Sequence, residues 1–479
     1  MLMKSSAQSL AEQLAARFAQ RIRDRLLAPG ARLPSVRQCA QQQAVSPSTV
    51  VGAYDQLLAQ GLVEARRNRG FYVRENASAP AQAVLVAGAP TAVATGSGAV
   101  SQRAPLNATA LIRGMFHGIS DKPQPGMGVL PREWLESSFL ASAVRRYCNT
   151  KELNDLSLQY GEPAGDSSLR RALSHKLQSI AVVAPADQII TTIGATHALD
   201  IVSRTLLRAG DYVMVEEPGW AVEFARLDAL GMRILPVPRR SDGPDLEVMA
   251  RYAEAHAPKL FVSVSVLHNP TGFSLSPASA HRVLQLANQH NFLVVEDDTY
   301  AHFAPAHATR LCALDGLQRT IYVGGFAKIL APNWRVGYMA APAPLVERLL
   351  DTKLLSTLTT PALLEKALAW CLEQGQIRRH GERIRQRLDG ARSRSVALAQ
   401  AHGYRFAAEP VGLFGWLETG VDTDALSQRM LDEGYLLAPG ALFHAQRVPS
   451  SLMRINFATT QEPVFWATLQ RLCAEQMRT

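Results

Sequence analysis

Five short apolar segments alternate with helical patterns from about residue 109 onward, and this alternation limits the folds open to the chain. Near-continuous apolar strands separated by helices predict a mostly parallel sheet that is covered on both faces. Ligands of such sheets bind at the carboxyl ends of the strands. The sequence therefore predicts an α/β fold with a site at that edge, ending in a small α+β subdomain at about residues 345–479. The five segments are Gln188–Thr192, Asp211–Val215, Leu260–Val264, Phe292–Val295 and Thr320–Val323.

A lysine comes shortly after the last of these segments. The segment Thr320–Val323 runs into a Gly-Gly turn, and Lys328 stands three residues beyond that turn. A lone lysine is usually a surface charge, but this one follows a buried type of strand. Its amine could form an imine with a carbonyl cofactor. Asp297, at the end of the preceding strand, could balance a protonated ring nitrogen, and Glu296 and Asp298 are its rivals.

Six motifs accompany Lys328 in the sequence: Tyr160-Gly-Glu-Pro-Ala-Gly165, Gly194-Ala-Thr196, Glu217-Pro-Gly-Trp220, His268-Asn-Pro-Thr-Gly272, Asp297-Asp-Thr-Tyr300 and Arg454-Ile-Asn456. Their order resembles that of the fold-type I aminotransferases, which hold pyridoxal 5′-phosphate (PLP) on a lysine. This resemblance implies Lys328 as the Schiff-base lysine and aligns Asp297 with the partner of the pyridine nitrogen. It implies that Tyr300 and Asn269 bond the 3′-oxygen and that Trp220 stacks on the ring.

A phosphate group needs amides and cations. Gly194, Ala195 and Thr196 open a predicted helix, and a helix N-terminus binds anions. Arg335 offers a planar double donor. Tyr160 resembles the tyrosine that reaches the phosphate from the neighbouring subunit, which implies a homodimer.

Two further features concern binding strength and the effector. Arg454 resembles the arginine that pairs with a substrate carboxylate, with a surface salt bridge as the alternative. Relatives commonly carry serine or threonine where Gly325 and Ala327 stand. Each missing neutral hydrogen bond is worth about 0.5–1.5 kcal/mol, so we expect weaker PLP binding without loss of the imine.

Residues 1–75 carry much of the net charge of +9. This stretch holds eleven Lys or Arg and five Asp or Glu, a net of +6, which leaves +3 for the rest of the chain. Concentrated positive charge is typical of a surface for nucleic acid, although a solvated charged helix would give the same count. The stretch predicts three helices and a short basic hairpin, which together make a winged helix-turn-helix.

The string from Leu33-Pro-Ser-Val-Arg37 to Gly70 closely resembles the GntR family of bacterial regulators. The third helix would lie in the major groove with its first residues at the base edges. The family often has arginine where Pro47 stands, so one DNA contact is expected to be absent. A helical domain that binds protein is the alternative. The predicted DNA-binding residues are Ser35, Arg37, Ser46, Ser48, Thr49, Arg66, Arg69 and Gly70.

Residues 76–108 predict a flexible or partly extended linker, since they are rich in small residues and proline and carry one charge, Arg103. The sequence therefore predicts three units: a DNA-binding domain at residues 1–75, the linker at residues 76–108, and an aminotransferase-like domain at residues 109–479. The five scattered cysteines disfavour a disulfide framework and a zinc site. With no apolar run long enough to span a membrane or serve as a signal peptide, we expect a cytoplasmic bacterial protein that joins the nucleoid on DNA.

The combination of a GntR-type domain with an aminotransferase-like domain resembles the MocR subfamily of bacterial regulators. This resemblance implies a head-to-tail homodimer in which PLP is a sensor. An amine or amino-acid effector would take the place of Lys328 by aldimine exchange, and binding to operator DNA would change. Three alternatives stay open: a functional aminotransferase with a DNA-binding domain, a scaffold that has lost PLP, and a regulator whose effector is PLP itself.

Overall fold

The computed structural model describes residues 8–24, 26–27, 29–43, 45–66, 69–74, 108–116 and 121–478. The predicted linker lies outside these residues except for Ala108, which already belongs to a helix. Within the described ranges, no helix is both long and apolar enough to cross a membrane.

The N-terminal domain folds as the predicted winged helix-turn-helix. Ser46 caps the third helix by accepting a hydrogen bond from the amide of Thr49 at 3.2 Å, and Pro47 occupies its first turn. Phe18 and Tyr54 pack edge to face in the domain's own core. The elements are α1 (Leu10–Arg23), α2 (Val36–Gln43), α3 (Pro47–Ala59), β1 (Val63–Arg66) and β2 (Gly70–Val73).

The large domain begins with helices that precede its sheet. They are α4 (Ala108–Phe116), α5 (Arg132–Leu135), α6 (Ser138–Arg146), α7 (Thr150–Ser157) and α8 (Ser167–Gln178).

Strands and helices then alternate through the centre of the chain, as the apolar segments predict. The elements are β3 (Ile189–Thr192), α9 (Ala195–Leu206), β4 (Tyr212–Glu217), α10 (Ala221–Ala229), β5 (Arg233–Arg240), β6 (Gly243–Pro244), α11 (Leu246–His256), β7 (Leu260–Ser263), α12 (Pro277–Gln289), β8 (Leu293–Asp297), α13 (Leu311–Asp315), β9 (Thr320–Gly325), β10 (Gly337–Ala340), α14 (Ala343–Thr357), α15 (Ala362–Glu373) and α16 (Gln376–Ala401).

The central sheet has the strand order β3-β10-β9-β8-β7-β4-β5-β6. The run from β9 to β5 is parallel. Strands β9, β8, β7 and β4 are buried on both faces along most of their length, whereas residues of β5 alternate between buried and more exposed. Strand β10 is antiparallel to both of its neighbours, β3 and β9. The predicted mostly parallel α/β fold is therefore confirmed, and the carboxyl ends of the parallel strands share one edge.

The small subdomain closes the chain with a second sheet in the order β11-β12-β14-β13. Strand β14 lies between β12 and β13, so Arg454 is opposite Trp416 on one side and Ala438 on the other. The elements are β11 (Arg405–Phe406), β12 (Phe414–Glu418), α17 (Thr423–Asp432), β13 (Ala438–Pro439), β14 (Leu452–Asn456) and α18 (Pro463–Met477).

The N-terminal domain packs against the small subdomain of its own chain. Leu26 is 2 % exposed and lies in an apolar cluster with Trp416, Leu431 and Phe443. The adjacent Leu27 lies instead in the core of the N-terminal domain. The two consecutive leucines therefore join different cores.

Candidate functional site

Lys328 lies just beyond the end of β9, at the carboxyl edge of the parallel strands. Its Nζ donates a hydrogen bond to the carbonyl of Gly128 at 2.8 Å and is 5.7 Å from the ring centre of Tyr300. Burial, together with the nearby charge of Arg454, lowers the pKa of Lys328 to about 8. The amine is therefore neutral in a much larger fraction of molecules near neutral pH than an ordinary lysine, as attack on an aldehyde requires.

The structure distinguishes the three neighbouring acids at the end of β8. Glu296 accepts hydrogen bonds from the amides of Leu311 and Cys312 at 2.7 and 2.9 Å. Asp298 accepts from Arg310 Nε at 2.6 Å and from the hydroxyl of Tyr322 at 2.9 Å. Both side chains are thus tied into the protein interior.

Asp297 has a different environment. One carboxylate oxygen accepts from the amide and hydroxyl of Thr299, and the side chain lines a small pocket shared with Trp220. Burial raises the pKa of Asp297 to about 6. A protonated ring nitrogen beside this carboxylate would offset the desolvation that raises the pKa of Asp297. Trp220, the residue predicted to stack on the cofactor ring, lines the same pocket.

Tyr300 and Asn269, the two predicted partners of the 3′-oxygen, lie side by side. Burial raises the pKa of the Tyr300 hydroxyl, which keeps it protonated and able to donate. Asn269 Oδ1 also accepts from Arg454 Nη1 at 2.9 Å. The residues predicted for the cofactor and for the effector carboxylate therefore meet at Asn269.

Arg454 is buried and lies between two aromatic rings. Its guanidinium carbon is 4.3 Å from the ring centre of Phe414 and 5.1 Å from that of Phe443. Nη2 donates to the carbonyl of Gly126 at 2.6 Å, and no described residue accepts from Nε. Burial lowers the pKa of Arg454 to about 10. This arginine is therefore a buried, charged donor rather than a member of a surface salt bridge.

The predicted phosphate site lies at the N-terminus of α9. Gly194 caps this helix with a φ of 82°, and a Cβ there would come within 2.6 Å of Arg335 Nη2. Arg335 has a φ of 53° and donates to the carbonyl of Ile193 at 3.1 Å. The amides of Ala195 and Thr196 open the helix behind it. Close packing at Gly194 thus brings a cation to a helix N-terminus, the combination that binds phosphate.

Tyr160 is 81 % exposed in the single chain. It lies on the loop before α8, whose backbone is held by Lys353 and Glu365: Lys353 Nζ donates to the carbonyl of Pro163, and Glu365 accepts from the amide of Asp166, both at 2.7 Å. An aromatic side chain so exposed on a well-anchored loop is available to a second subunit.

Sequence reasoning missed the segment Pro125–Val129, which covers the site. Its carbonyls accept from Lys328, Arg454 and Asn456, and a Cβ on Gly128 would lie 3.5 Å from Lys328 Nζ. The signal available was the pair of glycines in Gly126-Met-Gly128. Nothing in the local pattern links them to residues more than 190 positions away.

The predicted DNA-binding residues lie on one domain, and all of them except Thr49 are exposed. Several of them also make contacts within the domain or shape its hairpin. Ser46 is used as the cap of α3 with Thr49, Arg66 pairs with Glu64 at 2.7 Å, and Gly70 has a φ of 97° beside Arg32.

Comparison with known protein families gives one match for the N-terminal domain and one for the large domain. The family Aminotransferase class I and II matches residues 138–472, and the family Bacterial regulatory proteins, gntR family, matches residues 10–73. The probable rhizopine catabolism regulatory protein MocR of Rhizobium meliloti is 30 % identical over 380 residues, which cover 78 % of this chain and 73 % of that protein.

Enzymes of known structure resemble the large domain. The 2-aminoadipate transaminase of Thermus thermophilus is 30 % identical over 353 residues, covering 70 % of this chain and 84 % of that enzyme. The crystal structure of LysN, alpha-aminoadipate aminotransferase of the same organism, complexed with N-(5′-phosphopyridoxyl)-L-leucine, has a TM-score of 0.70 and 25 % identity, covering 77 % of this chain and 95 % of that one.

The aminotransferase family implies PLP as the cofactor, and the site residues fit it. The residues present are of the kinds that PLP needs: a lysine with a lowered pKa, an acid at the end of β8, and a cation at the N-terminus of α9. The chain joins a GntR domain to an aminotransferase class I and II domain. Relatives of this chain are named HTH-type transcriptional regulators. The chain belongs to the MocR subfamily of GntR-type transcriptional regulators.

Proposed function

We propose that this protein is a DNA-binding regulator that senses a small amine or amino acid through PLP on Lys328. The observation that carries the proposal is the convergence of Lys328 and Arg454 on one covered cleft. One supplies an amine and the other a carboxylate partner. An amino acid has an amine that can replace Lys328 on PLP and a carboxylate that can pair with Arg454.

Bound PLP supplies an aldehyde carbon that a primary amine can attack. The lowered pKa of Lys328 favours the neutral amine that holds the cofactor and that an incoming amine replaces. The free Lys328 amine donates a hydrogen bond to the Gly128 carbonyl. This carbonyl would therefore hold the side chain by a hydrogen bond after an effector has replaced it.

Arg454 would select the effector by its carboxylate. The guanidinium already has the fork geometry for two parallel hydrogen bonds, and burial between Phe414 and Phe443 excludes water from them. An amino acid held at both ends would favour one position of the small subdomain, which carries Arg454, relative to the central sheet. A ligand shifts such an equilibrium only by its difference in affinity for the two states.

A homodimer would complete the phosphate site. The 81 % exposure of Tyr160 on an anchored loop supports its use by a second subunit, and a head-to-tail arrangement would give each subunit one such tyrosine. Analytical ultracentrifugation with and without PLP tests this arrangement. A PLP-loaded protein that stays monomeric would contradict it.

An active aminotransferase is the second candidate function. Lys328, Asp297, Tyr300 and Arg454, the side chains that such an enzyme needs, all lie in or beside the same cleft. The similarity to 2-aminoadipate transaminase favours this reading of the same residues. Sustained production of a keto acid over many turnovers from an amino donor and a keto-acid acceptor would make it the better description.

The absorption spectrum of the purified protein tests the sensing function. We expect a near-visible band from lysine-bound PLP that shifts when one class of amine is added. Lys328→Ala should lose the band, and Lys259→Ala, which removes an exposed lysine of the same domain, should keep it. Absence of the band in the PLP-treated wild-type protein would refute PLP sensing.

A further inference from the structure

We propose that a buried pair of residues, Lys353 and Glu365, positions the loop of Tyr160 for the PLP phosphate of the other subunit. This loop, called the Tyr160 loop, consists of residues 160–166 directly before α8. The pair would thus act on the cofactor site across the dimer and not on the site of its own subunit. The inference rests on the homodimer proposed above, in which Tyr160 is used by a second subunit.

Lys353 is a buried lysine whose amine contacts the backbone of the Tyr160 loop. It lies on α14, and its side chain is 0 % exposed. Its Nζ donates to the carbonyl of Pro163 at 2.7 Å. Burial lowers the pKa of Lys353 to about 8, against the effect of Glu365, which raises it. The amine therefore keeps its proton in most molecules near neutral pH. A buried cation is unfavourable unless it is paired and hydrogen-bonded, and the hydrogen bond of this one goes to the loop.

Glu365 binds the same loop three residues further on. It lies on α15 and is also buried. One carboxylate oxygen accepts from the amide of Asp166 at 2.7 Å, and the other accepts from the hydroxyl of Thr360. The hydroxyl of Thr360 lies 2.9 Å from that of Thr191 in β3. The pair and these two threonines therefore connect the loop to α14, α15 and β3.

The Tyr160 loop lies so close to β3 that one of its positions requires glycine. Gly165 has a φ of 100°, and a Cβ there would overlap the side chain of Thr191. The amide of Thr191 donates to the carbonyl of Ala164 at 2.9 Å. The backbone from Pro163 to Asp166 is therefore held by β3 as well as by the buried pair.

The side chains next to these anchors are apolar and exposed. Leu158, Tyr160 and Leu355 are 76, 81 and 91 % exposed. Leu355 follows Lys353 by two positions, which places the two side chains on nearly opposite faces of α14. Large exposed apolar side chains on a loop and on the helix that holds it fit a surface covered by a second copy of the chain. The pair thus fixes the inner side of a segment whose outer side is available to that copy.

Helix α14 also contacts the phosphate site of its own subunit. Ser356 Oγ lies 3.4 Å from Nε2 of His197, in the first turn of α9. A change at Lys353 could therefore act within one subunit, through α9, or across the dimer, through Tyr160. The amine of Lys353 donates to the loop, whereas the contact with α9 is made by another residue. The hydrogen bonds therefore favour the route through Tyr160.

Mixed dimers of the full-length protein separate the two routes. One subunit, the reporter, keeps Lys328, and the other, the silent subunit, carries Lys328→Ala, so that the PLP band comes from one site. The two subunits are co-expressed with different affinity tags and purified on both. The pair variant combines Lys353→Met with Glu365→Gln, because removing both charges leaves neither of them buried without its partner. It is placed in one subunit at a time.

The pair variant in the silent subunit should raise the Kd of the reporter for PLP at least about tenfold, which corresponds to the loss of one hydrogen bond to a charged group. The Kd for pyridoxal, which lacks the phosphate, should not change. The same variant in the reporter should leave both values unchanged. Tyr160→Phe in the silent subunit should match the pair variant there. Lys259→Met, which removes an exposed lysine of the same domain, should have no effect in either subunit.

Three outcomes would contradict the inference in different ways. A loss of PLP affinity at least as large with the pair variant in the reporter as in the silent subunit would overturn it, since the pair would then act within its own subunit. An effect of Tyr160→Phe in the silent subunit without an effect of the pair variant would overturn it and leave the proposed homodimer standing. No effect of Tyr160→Phe in the silent subunit would refute the use of Tyr160 across the dimer, and the inference with it.

Hydrogen exchange of the full-length protein without PLP tests the anchoring independently of the cofactor. Peptides that cover residues 160–166 should exchange about tenfold faster in the pair variant than in wild type, because local opening of the loop no longer breaks the hydrogen bond of a buried cation. Lys259→Met should match wild type. Equal exchange in all three proteins, each shown to be folded by circular dichroism, would overturn the anchoring whether or not PLP binds.

Discussion

Gly325→Ser should strengthen the binding of PLP by restoring a phosphate contact that this chain lacks. A Cβ at Gly325 would lie 3.6 Å from the carbonyl of Val336 and 3.7 Å from the amide nitrogen of Ala195. These are ordinary van der Waals distances, so a serine fits without displacing its neighbours. Its hydroxyl would lie beside the first amide of α9, where the phosphate is expected.

The expected gain follows from the charge of the phosphate. Because the phosphate is charged, a hydrogen bond to it contributes about 1.5–3 kcal/mol, more than the roughly 0.5–1.5 kcal/mol expected above for a bond between neutral groups, and about 1.4 kcal/mol changes an equilibrium constant tenfold. The Kd for PLP should therefore fall by roughly tenfold to a hundredfold. The Kd for pyridoxal, which lacks the phosphate, should not change.

The assay compares the Kd values for PLP and pyridoxal by fluorescence quenching in the Lys328→Ala background, so that covalent attachment does not dominate. Gly324→Ser is the steric control, since a Cβ there would lie 2.9 Å from the ring of Tyr338. That variant should lose stability and gain no preference for PLP. A folded Gly325→Ser protein with an unchanged ratio of the two Kd values would refute the placement of the phosphate.

Three further results are expected. The rate at which PLP attaches to the apo-protein, measured by stopped-flow absorbance, should rise with pH with a midpoint near 8, because the pKa of Lys328 is lowered to about 8 and only its neutral amine reacts. A midpoint near 10.5 would mean a solvated lysine. Asp297→Asn should raise the melting temperature of the apo-protein above pH 6 but not near pH 3. Because the pKa of Asp297 is raised, the native state holds one more proton than the unfolded state between pH 3.8 and about 6, and it carries the full cost of the buried charge only above that range. An equal effect at both pH values in a thermal melt would contradict this. Arg454→Gln should weaken the spectral response to amino acids at least about tenfold, the loss of a charged hydrogen bond, and leave the response to putrescine unchanged; parallel losses for both ligands would remove the carboxylate role.

The sequence predicts the sheet and the order of the cofactor motifs because each depends on local pattern. Apolar segments about five residues long and the turn before Lys328 are visible in any short window. The choice among Glu296, Asp297 and Asp298 rested on resemblance, since adjacent acids look alike in sequence. The structure separates them by their hydrogen-bond partners, which come from elsewhere in the fold.

Features built from distant segments escaped prediction for the same reason. Strand β10 is four residues long and follows Arg335, which has a left-handed backbone, so no periodic pattern precedes it. The Gly126–Gly128 segment meets Lys328 across 200 positions, and Arg21 meets Leu431 across 410. Such contacts depend on tertiary packing, which residue periodicity does not encode.

The hydrogen bonds of Arg454 determine which molecules can compete for it. Its two terminal nitrogens already donate to neutral acceptors, the carbonyl of Gly126 and the amide oxygen of Asn269. A ligand therefore exchanges one set of acceptors for another and gains only the difference between them. An ionised carboxylate accepts hydrogen bonds about twice as strong as those of a neutral carbonyl, whereas a carboxamide offers nothing that the protein does not already provide. An amino acid should consequently be distinguished from its own amide, two molecules of nearly the same size and shape, by the charge of one group.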